Sequence, residues 1–378
     1  MKFKTLILFV ATSIFISCAQ ATAKEKEAVT EKPPHSNQTI KVALLLDTSN
    51  SMDGLINQAK AQLWEVVNEL SYAKCEGETP NLEIALYQYG NDGLSDDNGF
   101  IKLMLPFTKD LDEISEQLFA LTTNGGEEYC GTVIQTSVQE LNWGKNQDDL
   151  KMIFIAGNEP FTQGTVNFKD AITNAKERDI TINTIFCGNY NQGISGSWKE
   201  GADLGNGDYM TINHNKAIVH VATPYDDEII NLNKKLNKTY VRYGSKGVAK
   251  VEMQAKQDEN ASKLNKEVAV KRAVSKSSKL YKNSSWDLVD AVEEEDMEIS
   301  EVNKNQLPKE LKDKSEAEIK TYVAEKAKER KALQKEIQEL NKKRASYVAK
   351  KQVNKENELE SALKEAIKTQ AKKKNYSW

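Results

Sequence analysis

The chain has 378 residues, of which 39% are hydrophobic and 29% charged, so it can bury a core and holds one substantial domain with an extension or two domains. Its formal net charge is only -4, and its basic residues are interleaved with acids, which argues against nucleic acid as a partner. Apolar strand-like runs lie in the first half of the chain, whereas lysine and glutamate dominate the second.

Residues 1–20 predict a secretory signal peptide. Two lysines precede a short apolar stretch and small residues follow it, while no later segment is apolar enough to span a membrane. A serine precedes Cys18 as in a bacterial lipobox, which predicts a lipid-anchored protein of the cell envelope. The alternative is ordinary cleavage after Ala21 or Ala23, which would release a soluble periplasmic or secreted protein.

Strands alternate with helices from residue 40 to about residue 222, after a polar, proline-containing stretch at 21–39 that predicts a flexible linker. The runs "IKVALLLD" and "LKMIFIAG" are typical of strands buried on both faces of a parallel sheet. The alternation predicts an α/β fold, a doubly wound and mostly parallel sheet with helices on both faces. Ligands bind such sheets at the carboxyl ends of the strands, where Asp47 and Gly157 fall.

The first strand runs into "DTSNSM", which sets Asp47, Ser49 and Ser51 at alternate positions. In an extended loop this spacing can direct a carboxylate and two hydroxyls toward one point. With the strand before it, the helix after it and the later segments "IFIAGNEPF" and "DLGNGDYMTI", the motif resembles that of a von Willebrand factor type A (vWA) domain over 40–222. The resemblance implies a metal-ion-dependent adhesion site. There Mg²⁺, or Mn²⁺, is held by oxygen ligands, and a carboxylate of a protein or peptide partner completes the coordination.

Two loops depart from the family pattern. "TNGGEEYCGT" has Glu127 after the glycine pair, with Thr132 five residues later, and the third loop has Asn158 beside the place where the family supplies an aspartate. We expect Glu127, or its neighbour Glu128, to supply the missing negative charge, with Thr132 and Asn158 as further candidate ligands. The alternative is a degenerate site in which Asp47 only caps the following helix.

Three cysteines remain besides Cys18, which is an odd number. In the vWA-like topology Cys130 lies in an upper loop and Cys187 ends a strand at the same rim, whereas Cys75 lies at the opposite end of the sheet. Cys130 and Cys187 are therefore the candidate disulfide pair. Three buried free thiols are the alternative.

The sequence offers no sign of catalysis. It contains no nucleophile–base signature and no phosphate-binding loop. Its three histidines, His35, His214 and His220, lack the spacing of zinc ligands. We therefore expect a protein that is not an enzyme.

Residues 223–378 predict a charged helical region. Ser315 and Glu318 have the spacing of a capping box at the start of its longest helix. Apolar residues within 315–373 recur at heptad-like spacing, but arginines interrupt the pattern. A coiled coil and an antiparallel helical hairpin therefore both remain open.

Together these observations predict an exported, lipid-anchored protein that mediates adhesion or protein binding through a divalent-metal site. One alternative is a structural scaffold of the envelope with a degenerate metal site. A second, less favoured, is a hydrolase assisted by Mg²⁺, against which stands the use of such sites for binding.

Overall fold

A computed structural model describes most of the chain beyond the linker. It describes residues 38–75, 77–212, 221–294, 296–351 and 358–378, except for the side chains of Ser51 and residues 358–361. The predicted signal peptide with Cys18, residues 21–37 of the predicted linker and the three histidines lie outside these ranges, whereas Thr39, the last residue of that linker, begins the first strand. All described residues belong to one compact unit. None of the helices in these ranges combines the length and the apolar character that crossing a membrane requires.

A central sheet is built from strands that follow the apolar runs of the sequence. In chain order the described strands are β1 (Thr39–Asp47), β2 (Lys74–Cys75), β3 (Asn81–Tyr89), β4 (Ile101–Thr108), β5 (Leu150–Gly157), β6 (Ile180–Phe186), β7 (Asn206–Thr211) and β8 (Tyr376–Ser377). Six of them form one sheet in the order β4-β3-β1-β5-β6-β7, while β2 pairs with β8. Within the large sheet only the β3–β4 pair is antiparallel. The predicted α/β class with a mostly parallel sheet is confirmed.

Helices cover both faces of this sheet. The described α-helices of the chain are α1 (Asp53–Ser71), α2 (Leu111–Ala120), α3 (Cys130–Glu140), α4 (Phe168–Glu177), α5 (Tyr190–Ser195), α6 (Trp198–Leu204), α7 (Asp226–Asn237), α8 (Gly247–Leu264), α9 (Lys266–Lys276), α10 (Leu288–Glu293), α11 (Glu316–Lys351) and α12 (Glu358–Lys372). Alternate residues of β1 contribute to different cores. Val42 and Leu46 pack with α1, α2 and α12, whereas Ala43 and Leu45 pack with α3, α4 and α6. Both faces of β1 are therefore buried, which explains its continuous apolar run.

The C-terminal region forms a helical bundle within the chain. Ser315 and Glu318 make the predicted capping box, in which Glu318 accepts from the Ser315 amide at 2.8 Å. The apolar residues of α11 contact other helices of the same chain, with Ile337 packed against α7 and α9. Arg330 and Arg344, which interrupt the heptad pattern, are buried beside carboxylates of the bundle. Helix α12 then returns to the sheet, where Ile367 joins the core beneath α1.

Candidate functional site

Asp47 ends β1 at the carboxyl edge of the sheet and is fully buried. Its Oδ1 accepts a hydrogen bond from the Ser49 backbone amide at 2.8 Å, while its Oδ2 has no hydrogen-bond partner. Burial raises the pKa of Asp47 to about 7, against the lowering effect of the Ser49 amide. A buried carboxylate oxygen without a donor is costly unless a proton or a cation accompanies it.

Ser49 provides a second oxygen at this position. The residue is 4% exposed, and its Oγ is buried without a hydrogen-bond partner. The chain then turns through a short 3-10 helix, Asn50–Met52, into α1. The side chain of Ser51, the third residue of the motif, lies outside the described part of the chain. The motif thus contributes two oxygens, from Asp47 and Ser49, that lack hydrogen-bond partners.

Glu128 lies beside Asp47. A Cβ atom built on Gly90 would be 2.7 Å from Glu128 Cγ and 2.9 Å from Asp47 Oδ1, so both side chains border the same point. Gly90 itself has a φ of +71°, a conformation that favours glycine. Burial, and then the charge of Asp47, raises the pKa of Glu128 to about 8. Two adjacent buried carboxylates disfavour joint ionisation, and a cation between them would relieve that repulsion.

Glu127, which sequence reasoning named first, occupies a different environment. It is exposed, and its Oε2 accepts from Gln163 Nε2 at 3.1 Å. The Oε1 of the same glutamine accepts from the Glu128 backbone amide at 3.1 Å. Gln163 therefore holds this loop with Glu127 outward and Glu128 inward. Nothing in the sequence around Gln163 indicated that role.

Tyr89 occupies the space that an aspartate of the third loop would need. A Cβ atom on Gly157 would lie 2.6 Å from the Tyr89 hydroxyl and 3.1 Å from Asp47 Oδ2. The hydroxyl donates to the Ala156 carbonyl at 2.9 Å and is thereby fixed in position. A side chain longer than glycine therefore does not fit at position 157 without displacing its neighbours.

The remaining candidate ligands differ in their proximity to Asp47. The Asn158 backbone amide lowers the pKa of Asp47, so this residue borders the site. The charge of Glu159, which the sequence analysis did not single out, raises the pKa of Asp47 and Glu128. The methyl group of Thr132 lies 3.3 Å from the position of a Cβ at Gly99, in the loop between β3 and β4 that also contains Gly90.

The candidate disulfide is not formed. Cys75, Cys130 and Cys187 are buried, and none of the three forms a disulfide. Cys130 packs in the core that contains α3 and α4, whereas Cys187 packs in the core on the opposite face of the sheet. The Sγ of Cys130 instead lies 3.7 Å from the Tyr89 hydroxyl. Two cysteines near the same edge of a sheet cannot form a disulfide when the sheet separates their side chains.

The arrangement fits a hard divalent cation. In the ranges that the structure describes, no three His, Cys, Asp or Glu side chains are grouped so as to hold a metal ion. A cation here would therefore depend on hydroxyl oxygens and water as well as on Asp47 and Glu128. Mg²⁺ accepts such a set, because it takes one or two carboxylates and retains several waters. The buried oxygens of Asp47 and Ser49 that lack hydrogen-bond partners are the observation that supports a cation at this position.

Part of the chain is similar to known proteins. Residues 41–194 match the family model of the von Willebrand factor type A domain. No curated protein matches the chain. Similar solved structures include the conserved hypothetical protein BatB from Bacteroides thetaiotaomicron, at 15% identity over 46% of this chain and 90% of that one, with a TM-score of 0.35.

Two further structures have comparable scores. An aerotolerance-related membrane protein from Bacteroides fragilis is 17% identical over 47% of this chain and 93% of that chain, with a TM-score of 0.33. The VWA domain of SpRpn10 is 14% identical over 48% of this chain and 99% of that chain, with a TM-score of 0.35.

Proposed function

We propose that residues 41–194, which match the family model of the von Willebrand factor type A domain, bind a protein or peptide partner through a divalent cation at the carboxyl edge of the sheet. Asp47, Ser49 and Glu128 would hold the cation, with Mg²⁺ or Mn²⁺ as the ion. The observation that carries the proposal is the pair of adjacent buried carboxylates, one of which has an oxygen without a hydrogen-bond partner. The ion would supply a Lewis-acidic point of attachment for an oxygen ligand.

The roles of the residues follow from their surroundings. Asp47 and Glu128 would supply negative charge, and the Ser49 hydroxyl would supply a neutral oxygen. With so few protein ligands, coordination positions remain for water and for a carboxylate of the partner. Because position 157 is glycine and the Tyr89 hydroxyl fills the adjacent space, the third loop would supply no carboxylate at this position. The ion would then be bound by fewer charged ligands than in the family pattern.

Export and a lipid anchor on Cys18 belong to the same proposal. They rest on the basic start, the short apolar stretch and the lipobox-like serine before Cys18. An anchored binding domain would meet partners at the cell envelope. Metabolic labelling with a fatty-acid analogue tests the anchor, because the label must appear in the wild type and disappear in Cys18→Ser.

Cross-linked capture from the cell envelope tests the binding proposal. The full chain is used as bait in Mg²⁺ and in EDTA, beside Asp47→Asn, which preserves the shape of the side chain and the acceptor for the Ser49 amide. Glu339→Gln, an exposed change on α11, is the matched control. We expect specific capture by the wild type and the control that EDTA and Asp47→Asn abolish. Equal capture in EDTA would favour a scaffold with a degenerate site.

A further inference from the structure

The loops at the carboxyl edge of the sheet, around the candidate cation site, carry several acidic residues and no basic ones. We call these loops the rim and define them by five segments: 47–53, 90–100, 121–129, 157–167 and 187–197. Backbone hydrogen bonds join neighbouring segments. The Asn124 amide donates to the Thr48 carbonyl at 3.0 Å, the Asp92 amide donates to the Gly125 carbonyl, and the Cys187 amide donates to the Gly157 carbonyl at 2.8 Å.

The charge of the rim has a single sign. Its eight acidic residues are Asp47, Asp53, Asp92, Asp96, Asp97, Glu127, Glu128 and Glu159. None of the 52 lysines and arginines of the sequence falls in the five segments. A segment set of this size would hold several basic residues if they were distributed evenly along the chain. The almost neutral net charge therefore conceals a strongly negative surface at one edge of the sheet.

Most of these carboxylates face solvent. Asp53, Asp92, Asp96, Asp97 and Glu127 are all exposed. Asp53 accepts from the Thr123 hydroxyl at 2.6 Å, and Asp96 accepts from the backbone amide of its neighbour at 2.9 Å. A divalent cation at the buried pair would offset two of the eight negative charges. The rim would thus remain negative when the cation is bound.

An aromatic surface adjoins the acidic segments. Tyr190, in the segment that follows β6, has 51% of its surface exposed and packs beside Tyr209 with ring centroids 5.1 Å apart. Ile194, one turn later on α5, is 42% exposed. Aromatic faces attract lysine and arginine side chains, and exposed tyrosines are frequent anchors of protein interfaces. This surface therefore suits a partner that carries cationic side chains.

We propose that the partner of this rim is a cationic polypeptide segment, rich in lysine or arginine, that lies over the cation site and the acidic loops around it. The inference rests on the proposed function for the cation itself and adds the charge of the partner. A carboxylate that reaches the ion would have to come from within such a basic segment, because an acidic surface would be repelled by the surrounding loops. Opposite charge would also accelerate encounter at low salt.

Fluorescence anisotropy with labelled oligolysine tests the charge of the partner. The full chain is titrated in Mg²⁺, with oligoglutamate of the same length as the second probe. Asp96→Asn/Asp97→Asn removes two rim charges, and Glu336→Gln/Glu339→Gln removes two exposed charges on α11 as the matched control. We expect the wild type to bind oligolysine more tightly than oligoglutamate. At low salt the rim variant should bind oligolysine about fivefold more weakly than the wild type does, and the control variant should bind it with almost unchanged affinity.

Three results would overturn the inference. Oligoglutamate could bind as tightly as oligolysine, or the rim variant could retain full affinity, or the control could lose as much as the rim variant. Sedimentation without peptide adds a fourth, because a dimer that the rim variant abolishes would make a second copy of the chain the occupant. Calorimetry of the wild type with Mg²⁺ separates the two proposals. If Mg²⁺ gives no heat of binding but the chain still binds oligolysine, only the proposed cation site is contradicted.

Discussion

Because Glu128 and Asp47 are buried carboxylates, we expect the stability of the metal-free protein to fall as the pH rises. Their pKa values are raised to about 8 and about 7 in the folded chain, above those of unfolded carboxylates. The folded state therefore keeps protons that the unfolded chain releases, and its stability advantage at low pH is lost as pH rises from about 4, where unfolded carboxylates titrate, to about 8. In EDTA we expect the unfolding midpoint to fall over this range.

Glu128→Gln should reduce this dependence, because it removes one titrating group and its repulsion with Asp47. The matched control is Glu127→Gln, the exposed neighbour, which should leave the dependence of the wild type intact. Urea unfolding monitored by circular dichroism at several pH values measures the effect. A wild-type stability that does not change between pH ~5 and ~8 would be inconsistent with two buried carboxylates.

Gly157 tests the packing that excludes a larger residue from the third loop. Gly157→Ala should destabilise the protein by about 1–3 kcal/mol, because the added methyl meets the Tyr89 hydroxyl and Asp47. Tyr89→Phe in the same chain should restore part of the loss, and a double-mutant cycle from denaturant unfolding gives the coupling. Strict additivity of the two changes would show that the hydroxyl is not the obstacle.

The sequence identified the motif residues of the site but not their neighbours. Asp47 and Ser49 follow a strand that its apolar run makes recognisable, so their place at the sheet edge is predictable. Glu127 and Glu128 lie in an irregular loop without the periodicity of a helix or strand. No sequence pattern therefore shows which of the two side chains is buried. Their orientation depends on Gln163, a residue distant in sequence that no local signal connects to them.

At the scale of elements, a buried ionic network attaches the C-terminal bundle to the sheet domain. Arg272 of α9 donates to Asp112 of α2 at 2.7 Å and to Asp258 of α8 at 2.5 Å. Lys276 lies 2.9 Å from the same aspartate of α8. The sequence indicated only a charged helical region for Asp258, Arg272 and Lys276, without showing which of its charges are buried. Their burial is a consequence of tertiary packing, which propensity and spacing do not contain.

Arg272→Met should therefore destabilise the protein strongly. Removal of the guanidinium leaves Asp112 buried without its cation, and such a loss costs about 3–5 kcal/mol. Lys263→Met is the control, since its pair with Glu259 on α8 is exposed and worth about 0.5 kcal/mol or less. Chemical denaturation compares the two. A similar small loss for both variants would mean that the network does not join α2 to the bundle.

In the whole molecule, segments that are far apart in the chain pack together. The sequence predicts a vWA-like domain over 40–222 and a helical region over 223–378, and this division remains a prediction. Helix α12 nevertheless packs on the sheet, where Leu363, Ile367 and Ala371 join the core beside β6 and β7. The alternation of strands and helices revealed the sheet. It did not reveal that a helix so distant in the chain covers one face.

A chain that ends at residue 222 should consequently be less stable than the full chain. The truncation would expose the apolar face that α12 covers, including Ile185 and Met210, and would remove the cation that pairs with Asp112. We expect a lower unfolding midpoint and binding of a hydrophobic dye, measured by differential scanning fluorimetry. If the truncated chain unfolds at the temperature of the full chain without dye binding, the bundle is dispensable for the sheet.

Calorimetric titration of Mg²⁺ measures whether Asp47 and Glu128 hold a cation together. We expect Mg²⁺ to bind at one site per chain in the wild type and in Glu127→Gln, to bind more weakly in Glu128→Gln and not to bind in Asp47→Asn. Absence of metal heat in the wild type, or equal affinity of Glu128→Gln and the wild type, would contradict this expectation.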